Sequence, residues 1–202
     1  MAVVANKPSF VEHGALRFLI VDAPTDVNVE AYIKEFKGHH VSDLVRACEC
    51  GYSPDRIIKS GVAVHDMPFA DGDPPPDAII ASWLGLCGRV FAKGNPEARS
   101  IAVHCVAGLG RAPVLVALAL IERGMEPLDA VKLIREKRRG AINAKQVRPP
   151  QAAAPAPRAP SRLTPRAAPH LHPTHTHSAP PQLQYIEYTY KRRGPQGGCA
   201  VM

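Results

Sequence analysis

The residues with the clearest chemical potential lie in one short segment, in which a cysteine precedes an arginine by six positions. Cys105 and Arg111 enclose two glycines, and an apolar run, residues 100–103, precedes them. A loop between a strand and a helix directs backbone N–H groups towards one point near the positive helix end. Arg111 adds a planar set of N–H donors that suits two phosphate oxygens. The spacing therefore predicts a phosphate site formed by Val106, Ala107, Gly108, Leu109 and Gly110.

The same donors favour the thiolate form of Cys105, because they stabilise negative charge beside its sulfur. A thiolate is a nucleophile at neutral pH and can form a covalent intermediate with a phosphoester. His104 precedes this cysteine, and we expect it to orient the loop from behind. A buried structural cysteine in a glycine turn is the alternative interpretation, which Arg111 and the strand–loop–helix context disfavour.

A thiolate that attacks a phosphoester also requires a proton donor for the departing oxygen. Asp71 is the leading candidate, because it lies upstream in a loop rich in glycine and proline, residues 68–75. Asp73 is the second candidate and Asp66 is the third. Aspartates in loops commonly only cap turns, so spacing alone leaves these alternatives open.

The elements that must position these residues follow from the apolar pattern. Short apolar runs predict strands at residues 17–22, 40–47, 61–65 and 100–103. Helical spacing predicts helices at residues 29–37, 77–91, 112–123 and 128–137. Strands that alternate with helices predict an α/β domain with a mostly parallel central sheet.

Composition divides the 202 residues into three parts: a domain at 1–146, a disordered insert at 147–182 rich in Pro, Ala and His, and a short amphipathic segment with a basic tail at 183–202. The net charge of +7 is uneven, since residues 135–202 carry +10. No apolar run approaches the roughly 20 residues of a membrane span. No secretory signal opens the chain, so five cysteines indicate a reducing compartment.

Two segments carry a resemblance to a known family. Residues 104–120 (HCVAGLGRAPVLVALAL) and 137–146 (KRRGAINAKQ) resemble the phosphatases of regenerating liver, a prenylated branch of the protein tyrosine phosphatase superfamily. The resemblance covers residues 8–146 and resumes at about 183–202. It implies the compact dual-specificity cysteine phosphatase fold, with a central sheet of about five strands flanked by helices.

The resemblance also implies roles for individual residues. It makes Cys105 the nucleophile, Arg111 the phosphate-binding group and Asp71 the general acid. Ala112 stands where most cysteine phosphatases have Ser or Thr, so a hydroxyl that would bind the thiolate leaving group is missing. Loss of such a bond costs about 1.5–3 kcal/mol, or roughly 10–100-fold in rate, which predicts slow turnover. We expect no cofactor and no metal.

Three other cysteines and the loop that contains Asp71 carry further expectations. Ala70 replaces the first of two adjacent aspartates that the family usually shows. Cys48 matches the family's second cysteine, which implies a reversible disulfide with the nucleophile. Cys50 is an alternative partner, and a small buried residue at a strand end is the other interpretation of Cys48. Cys87 lies on an apolar helix face, where we expect it in the core.

The end of the chain fits a lipid attachment signal. Cys199 begins a terminal Cys-Ala-Val-Met, which is typical of farnesylation. One prenyl chain gives only marginal membrane binding, so a basic segment is needed as a second signal. That charge is expected from Lys191, Arg192 and Arg193, and also from Arg135, Lys137, Arg138, Arg139 and Lys145. We interpret His170, His172, His175 and His177 as part of a proline-rich spacer.

The function that follows is a prenylated phosphatase acting on phosphotyrosine proteins or phosphoinositides. The resemblance implies the cytoplasmic face of the plasma membrane and early endosomes, and cytoplasm or nucleus without the lipid. The alternative is a binding module for cyclin-M family magnesium transporters, which would use the active-site face. The resemblance also implies a homotrimer. Nucleic-acid binding is disfavoured, because the basic tail lacks an aromatic platform.

Overall fold

The computed structural model describes Val4 and residues 6–92 and 99–142 of the chain. These residues form five strands and five helices in the order β1 (Ser9–His13), β2 (Leu16–Val21), α1 (Val29–Gly38), β3 (Val41–Arg46), α2 (Asp55–Lys59), β4 (Ala63–Asp66), α3 (Asp77–Val90), β5 (Ser100–His104), α4 (Arg111–Glu122) and α5 (Pro127–Lys137). The predicted insert at 147–182 and the segment at 183–202 lie outside the described residues. Among the residues described, no helix is long and apolar enough to cross a membrane.

The strands form one sheet in the order β1-β2-β5-β3-β4. The pairs β2–β5, β5–β3 and β3–β4 are parallel, and only β1 runs antiparallel, against β2. In this register His104 lies opposite both Val21 and Arg46, and Arg46 lies opposite Asp66. The carboxyl ends of four parallel strands therefore meet at one edge, where open α/β sheets bind their ligands.

Helices cover both faces of the sheet, because both faces are apolar. One face packs against α3, α4 and α5, where the Trp83 indole N–H donates to the carbonyl of Leu115 (2.6 Å). The other face packs against α1 and α2, around the buried side chains of Tyr32, Phe36 and Ile57. The predicted α/β fold with a mostly parallel sheet of about five strands is confirmed.

Helix α4 lies at the centre of this packing. All its residues from Arg111 to Leu120 are buried, and the helix contacts α3, α5 and β5. A helix that is apolar on every side is buried on every side. The residue that begins α4 is consequently fixed relative to the sheet, and so is the loop that precedes it.

All eight predicted elements are present, with ends within a few residues of the predicted ones. Two elements were not predicted. The first is β1, which has few apolar residues and pairs with β2 through a turn in which Gly14 has φ +56°. The second is α2, a five-residue helix in which Ile57 alone is buried. Both are held by tertiary contacts, so the apolar periodicity along the sequence is too weak to predict them.

Candidate active site

The 105–111 loop connects β5 to α4 at the carboxyl edge of the sheet. Four consecutive carbonyl groups of this loop accept hydrogen bonds from outside it. The backbone N–H of Ala23 donates to the carbonyl of Val106 (2.9 Å), and that of Ile142 donates to the carbonyl of Leu109 (2.8 Å). The Arg138 guanidinium donates to the two carbonyls between them, those of Ala107 (2.8 Å) and Gly108 (2.6 Å). In a trans peptide the next N–H points away from the carbonyl. The N–H groups of residues 107–110 therefore point away from these partners, as an anion-binding loop requires.

Arg138 is the residue that holds two of these carbonyls. The residue is only 6% exposed, although the sequence predicts it as surface charge for a membrane. That prediction is wrong, because α5 ends at Lys137 and the extended backbone of Arg138 turns its side chain inward. The same guanidinium also donates to Ile20 O and Ser9 Oγ, each at 3.3 Å. Burial lowers the pKa of Arg138 below its usual value.

Gly108 is required by the same arrangement. Its φ of +67° is favourable only for glycine. A Cβ atom built there would collide with the carbonyl oxygen of Val21 and would lie 2.7 Å from Nη2 of Arg138. The loop therefore approaches β2 and Arg138 more closely than any side chain allows.

His104 supports Cys105 from behind the loop. Its fully buried Nδ1 lies 3.0 Å from the carbonyl oxygen of Cys105, which can only accept, so Nδ1 carries the proton. Burial lowers the pKa of His104 to about 4, which keeps the imidazole neutral. Nε2 is then an acceptor, and the Tyr52 hydroxyl donates to it (2.8 Å). Cys105 itself is 4% exposed.

Arg111 and Asp71 are brought together across the front of the loop. Arg111 begins α4, is 9% exposed, and donates through Nη1 to the carbonyl of Phe69 (3.2 Å). Its Nε lies 3.4 Å from Asp71 Oδ1, and the Asp71 side chain is 65% exposed. This Nε is buried and makes no hydrogen bond. The upstream loop therefore lies over the site, with Asp71 next to the guanidinium.

The two alternative acids are placed differently. Asp66 forms a paired contact with Arg46, in which Nη2 donates to Oδ2 at 2.7 Å. These hydrogen bonds lower the pKa of Asp66, so its carboxyl is a poor proton donor at neutral pH. Asp73 is exposed, and its backbone N–H contacts the carbonyl of Ala70 (3.4 Å). Of the three aspartates, Asp71 is the one whose carboxylate contacts Arg111, so it is the best-placed proton donor.

The cysteines at 48 and 50 lie behind the same loop. Cys48 is 4% exposed, and its Sγ lies 3.8 Å from Sγ of Cys50, which is 3.9 Å from Nε2 of His104. Burial raises the pKa of Cys48 to about 12. The neighbouring Cys50 also raises this pKa, whereas the positive charge of Arg111 lowers it. Cys48, Cys50, Cys87 and Cys105 are all free thiols. From the sequence, Cys50 is only an alternative to Cys48, and the position of His104 beside both cysteines is not predicted.

The two remaining cysteines are Cys87, on helix α3, and Cys199, outside the described residues. Cys87 is buried on α3, in the core as predicted, and burial raises the pKa of its thiol. Cys199 lies outside the described residues, as do Lys145, the four clustered histidines and the three basic residues at 191–193.

Comparison with known proteins assigns the chain to a family. A family model described as protein-tyrosine phosphatase matches residues 70–147. Protein tyrosine phosphatase type IVA A of Dictyostelium discoideum is 54% identical over 146 residues, which cover 72% of this chain and 87% of that protein. The chain belongs to the type IVA protein tyrosine phosphatases. The type IVA assignment confirms the family predicted from residues 104–120 and 137–146.

Other relatives agree with the type IVA assignment. The PRL-1 phosphatase of Drosophila melanogaster is 49% identical over 140 residues, covering 69% of this chain and 78% of that protein. A protein tyrosine phosphatase of Leishmania major has a solved structure with a TM-score of 0.64 and 43% identity, covering 70% of this chain and 94% of that one. This type IVA chain is therefore a cysteine-dependent protein tyrosine phosphatase, an activity that fits phosphoprotein substrates in general. The comparisons do not favour the binding module over the enzyme.

Proposed function

We propose that the phosphatase acts through a phosphocysteine on Cys105. The N–H groups of the 105–111 loop and the Arg111 guanidinium bind the phosphate, and Cys105 Sγ attacks phosphorus. The P–O bond to the leaving group breaks as Asp71 donates a proton to that oxygen. Water then attacks phosphorus, the S–P bond breaks, and inorganic phosphate leaves. One observation supports this assignment best: four consecutive loop carbonyls accept hydrogen bonds from residues outside the loop. The four N–H groups that follow them therefore point away from those residues, where they can bind a phosphate.

The contact between Asp71 and Arg111 indicates how the acid is engaged. A substrate phosphate and the Asp71 carboxylate compete for the same guanidinium, whose Nε lies 3.4 Å from Oδ1. A bound dianion therefore displaces the Asp71 carboxylate from Arg111. The Asp71 side chain is 65% exposed and can move by this distance, while the buried Phe69 and the bond from Arg111 to its carbonyl hold the loop.

Intact-mass analysis tests the intermediate directly. Full-length protein is quenched in acid during turnover of a phosphotyrosine peptide, and a gain of one phosphoryl group on Cys105 is expected. Cys105→Ser should abolish turnover, whereas Cys87→Ser, at a buried thiol outside the site, should retain it. Asp71→Asn should slow hydrolysis of phosphotyrosine far more than that of an aryl phosphate with an acidic leaving group. Turnover by Cys105→Ser, or phosphate attached to another residue, would contradict the assignment.

We also propose that Cys48 protects the nucleophile by a reversible disulfide. Peroxide oxidises the Cys105 thiolate to a sulfenic acid, the Cys48 thiol attacks that sulfur, and water leaves. The burial of both sulfurs in one apolar cluster supports the pairing. After peroxide treatment and return to thiol reductant, activity should recover in the parent protein and in Cys50→Ser, but not in Cys48→Ser. Recovery in Cys48→Ser together with loss in Cys50→Ser would make Cys50 the partner.

Membrane attachment is proposed from the sequence of the chain end and one surface of the domain. Lys7, Lys137 and Arg139 line an open cleft of about 480 Å³ that reaches Leu109 in the loop. A basic cleft beside the phosphate site suits an anionic bilayer and an inositol phosphate headgroup as well as a phosphoprotein. With prenylation at Cys199, the enzyme would work at the cytoplasmic face of the plasma membrane and early endosomes, and in cytoplasm or nucleus without it.

Vesicle flotation distinguishes the contribution of the prenyl group to membrane binding from that of the basic residues. Prenylated protein should float with vesicles containing phosphatidylserine, and Cys199→Ser should remain in solution. Replacing Lys137 and Arg139 by Gln should weaken flotation of the prenylated protein without preventing it. Equal flotation of parent and Cys199→Ser would reject the prenyl attachment. Turnover of phosphoinositide in those vesicles, compared with a phosphotyrosine peptide, identifies the preferred substrate.

The family resemblance also leads us to propose contact with cyclin-M transporters and assembly into a trimer. Val106, at the entrance of the loop, is 63% exposed and offers an apolar contact on the active-site face. Val106→Asp should weaken transporter binding while Cys105→Ser retains it, as measured by calorimetry. Sedimentation equilibrium measures the oligomeric state, and a monomer at all concentrations would reject the trimer.

A further inference from the structure

Three atoms that can bind a metal, two sulfurs and one imidazole nitrogen, converge behind the 105–111 loop. Sγ of Cys48, Sγ of Cys50 and Nε2 of His104 all lie within 4.8 Å of one another. The Cys48–Cys50 distance is 3.8 Å, and the Cys50–His104 distance is 3.9 Å. A tetrahedral zinc ion with Zn–S bonds of about 2.3 Å and Zn–N bonds of about 2.05 Å needs S···S and S···N separations of about 3.8 Å and 3.6 Å. The two measured edges match this geometry to within about 0.3 Å.

The imidazole is already oriented for a metal. The Nδ1–H of His104 donates to the carbonyl of Cys105, which leaves Nε2 as the unprotonated nitrogen, 3.9 Å from Sγ of Cys50. Metal-ligating histidines are usually held in this way, by a hydrogen bond from the second ring nitrogen to a carbonyl or carboxylate. The Tyr52 hydroxyl is the present donor to Nε2 and must turn away when a metal binds.

Charge and access also suit a divalent ion. Two thiolates, formed as the metal displaces the thiol protons, neutralise the charge of the ion in a buried site. Cys50 is only half-buried while Cys48 and His104 are buried, so an ion can enter from the side of Cys50. Thiolate and imidazole together select zinc over magnesium or calcium, which prefer oxygen ligands.

We propose that Cys48, Cys50 and His104 bind a zinc ion through two sulfurs and one nitrogen, with a water molecule as the fourth ligand. No metal is expected from the sequence; His104 is brought beside Cys48 and Cys50 only in the folded chain. Zinc would hold Cys48 as a thiolate ligand and so prevent its disulfide with Cys105. The binding claim itself does not depend on the proposed catalytic roles or on that disulfide.

Competition titration against a chromophoric zinc chelator measures the site. The full chain, reduced and stripped of metal, is titrated with zinc alone. Because the tail contains further histidines and Cys199, the comparison is between the parent and matched variants rather than an absolute stoichiometry. We expect Cys50→Ala to lose the tightest equivalent, with at least a 10-fold weaker affinity, whereas Cys87→Ala retains it. Urea unfolding of each variant without metal verifies that it is folded.

Two further measurements identify the ligands. Cys105→Ser should keep the tight equivalent, since the nucleophile is not a ligand, and its loss there would overturn the proposal. X-ray absorption of the parent with one equivalent of zinc should give two sulfur ligands with nitrogen or oxygen completing the shell. A shell without sulfur, or an affinity of Cys50→Ala equal to that of the parent, would also overturn it.

Discussion

Replacement of Arg138 offers the sharpest test of how the phosphate loop is held. Its guanidinium makes two short hydrogen bonds to the carbonyls of Ala107 and Gly108, at 2.8 and 2.6 Å, in a buried environment. Hydrogen bonds that involve a charged group contribute about 1.5–3 kcal/mol each. Arg138→Met removes both and leaves two buried acceptors unpaired, so we expect a loss of about 3–5 kcal/mol in the free energy of unfolding.

Arg138→Lys tests whether the positive charge alone holds the loop or whether the planar guanidinium is needed. Lysine keeps the positive charge but has one ammonium group in place of a planar fork, so it cannot reproduce both bonds at once. We expect a loss of about 1.5–3 kcal/mol, the contribution of one such bond. Activity should fall by more than 10-fold, because a released carbonyl turns the following N–H group away from the phosphate.

Urea unfolding followed by circular dichroism measures the stability change, and kcat/KM on a phosphotyrosine peptide measures the effect on the loop. Arg139→Lys is the matched control, since Arg139 is the exposed neighbour, and surface changes usually stay within about 0.5 kcal/mol. Unfolding of Arg138→Lys at the same urea concentration as Arg139→Lys, or equal kcat/KM for the two variants, would refute the role of Arg138 in holding the loop.

Three other changes test the remaining parts of the site. Gly108→Ala should lower kcat/KM by at least 10-fold in a steady-state assay, because its Cβ collides with Val21 O and φ is +67°; wild-type activity would contradict the collision. Ala112→Ser should speed phosphocysteine hydrolysis roughly 10–100-fold in single-turnover kinetics, and unchanged rates would reject the role of the missing hydroxyl. Arg46 lowers the pKa of Asp66, so this ion pair stabilises the fold above about pH 4 and is lost as the pH falls through the lowered value. Asp66→Asn should therefore reduce the difference in unfolding free energy between pH 6 and pH 3, and an unchanged difference would contradict it.

Local chemistry made much of this protein predictable. The Cys-x5-Arg spacing between an apolar run and an apolar helix predicts the loop, because strand, turn and helix depend on neighbouring residues. The predicted strands and helices are confirmed for the same reason, because each forms mainly through residues that are close together in the sequence. Asp71 could be ranked first among three aspartates from its loop and the family resemblance, but only the folded chain shows that Asp66 is paired with Arg46.

The amino-acid sequence thus determined the family, the order of the elements and the residue types of the phosphate loop. Tertiary structure alone decided that Arg138 is buried beneath that loop, with contacts to Gly108 and to Ser9, 30 and 129 positions away. It also decided that Cys50 and His104, 54 positions apart, lie within 3.9 Å. Such contacts are set by the register of parallel strands and the packing of α5, and no periodicity along the chain encodes them.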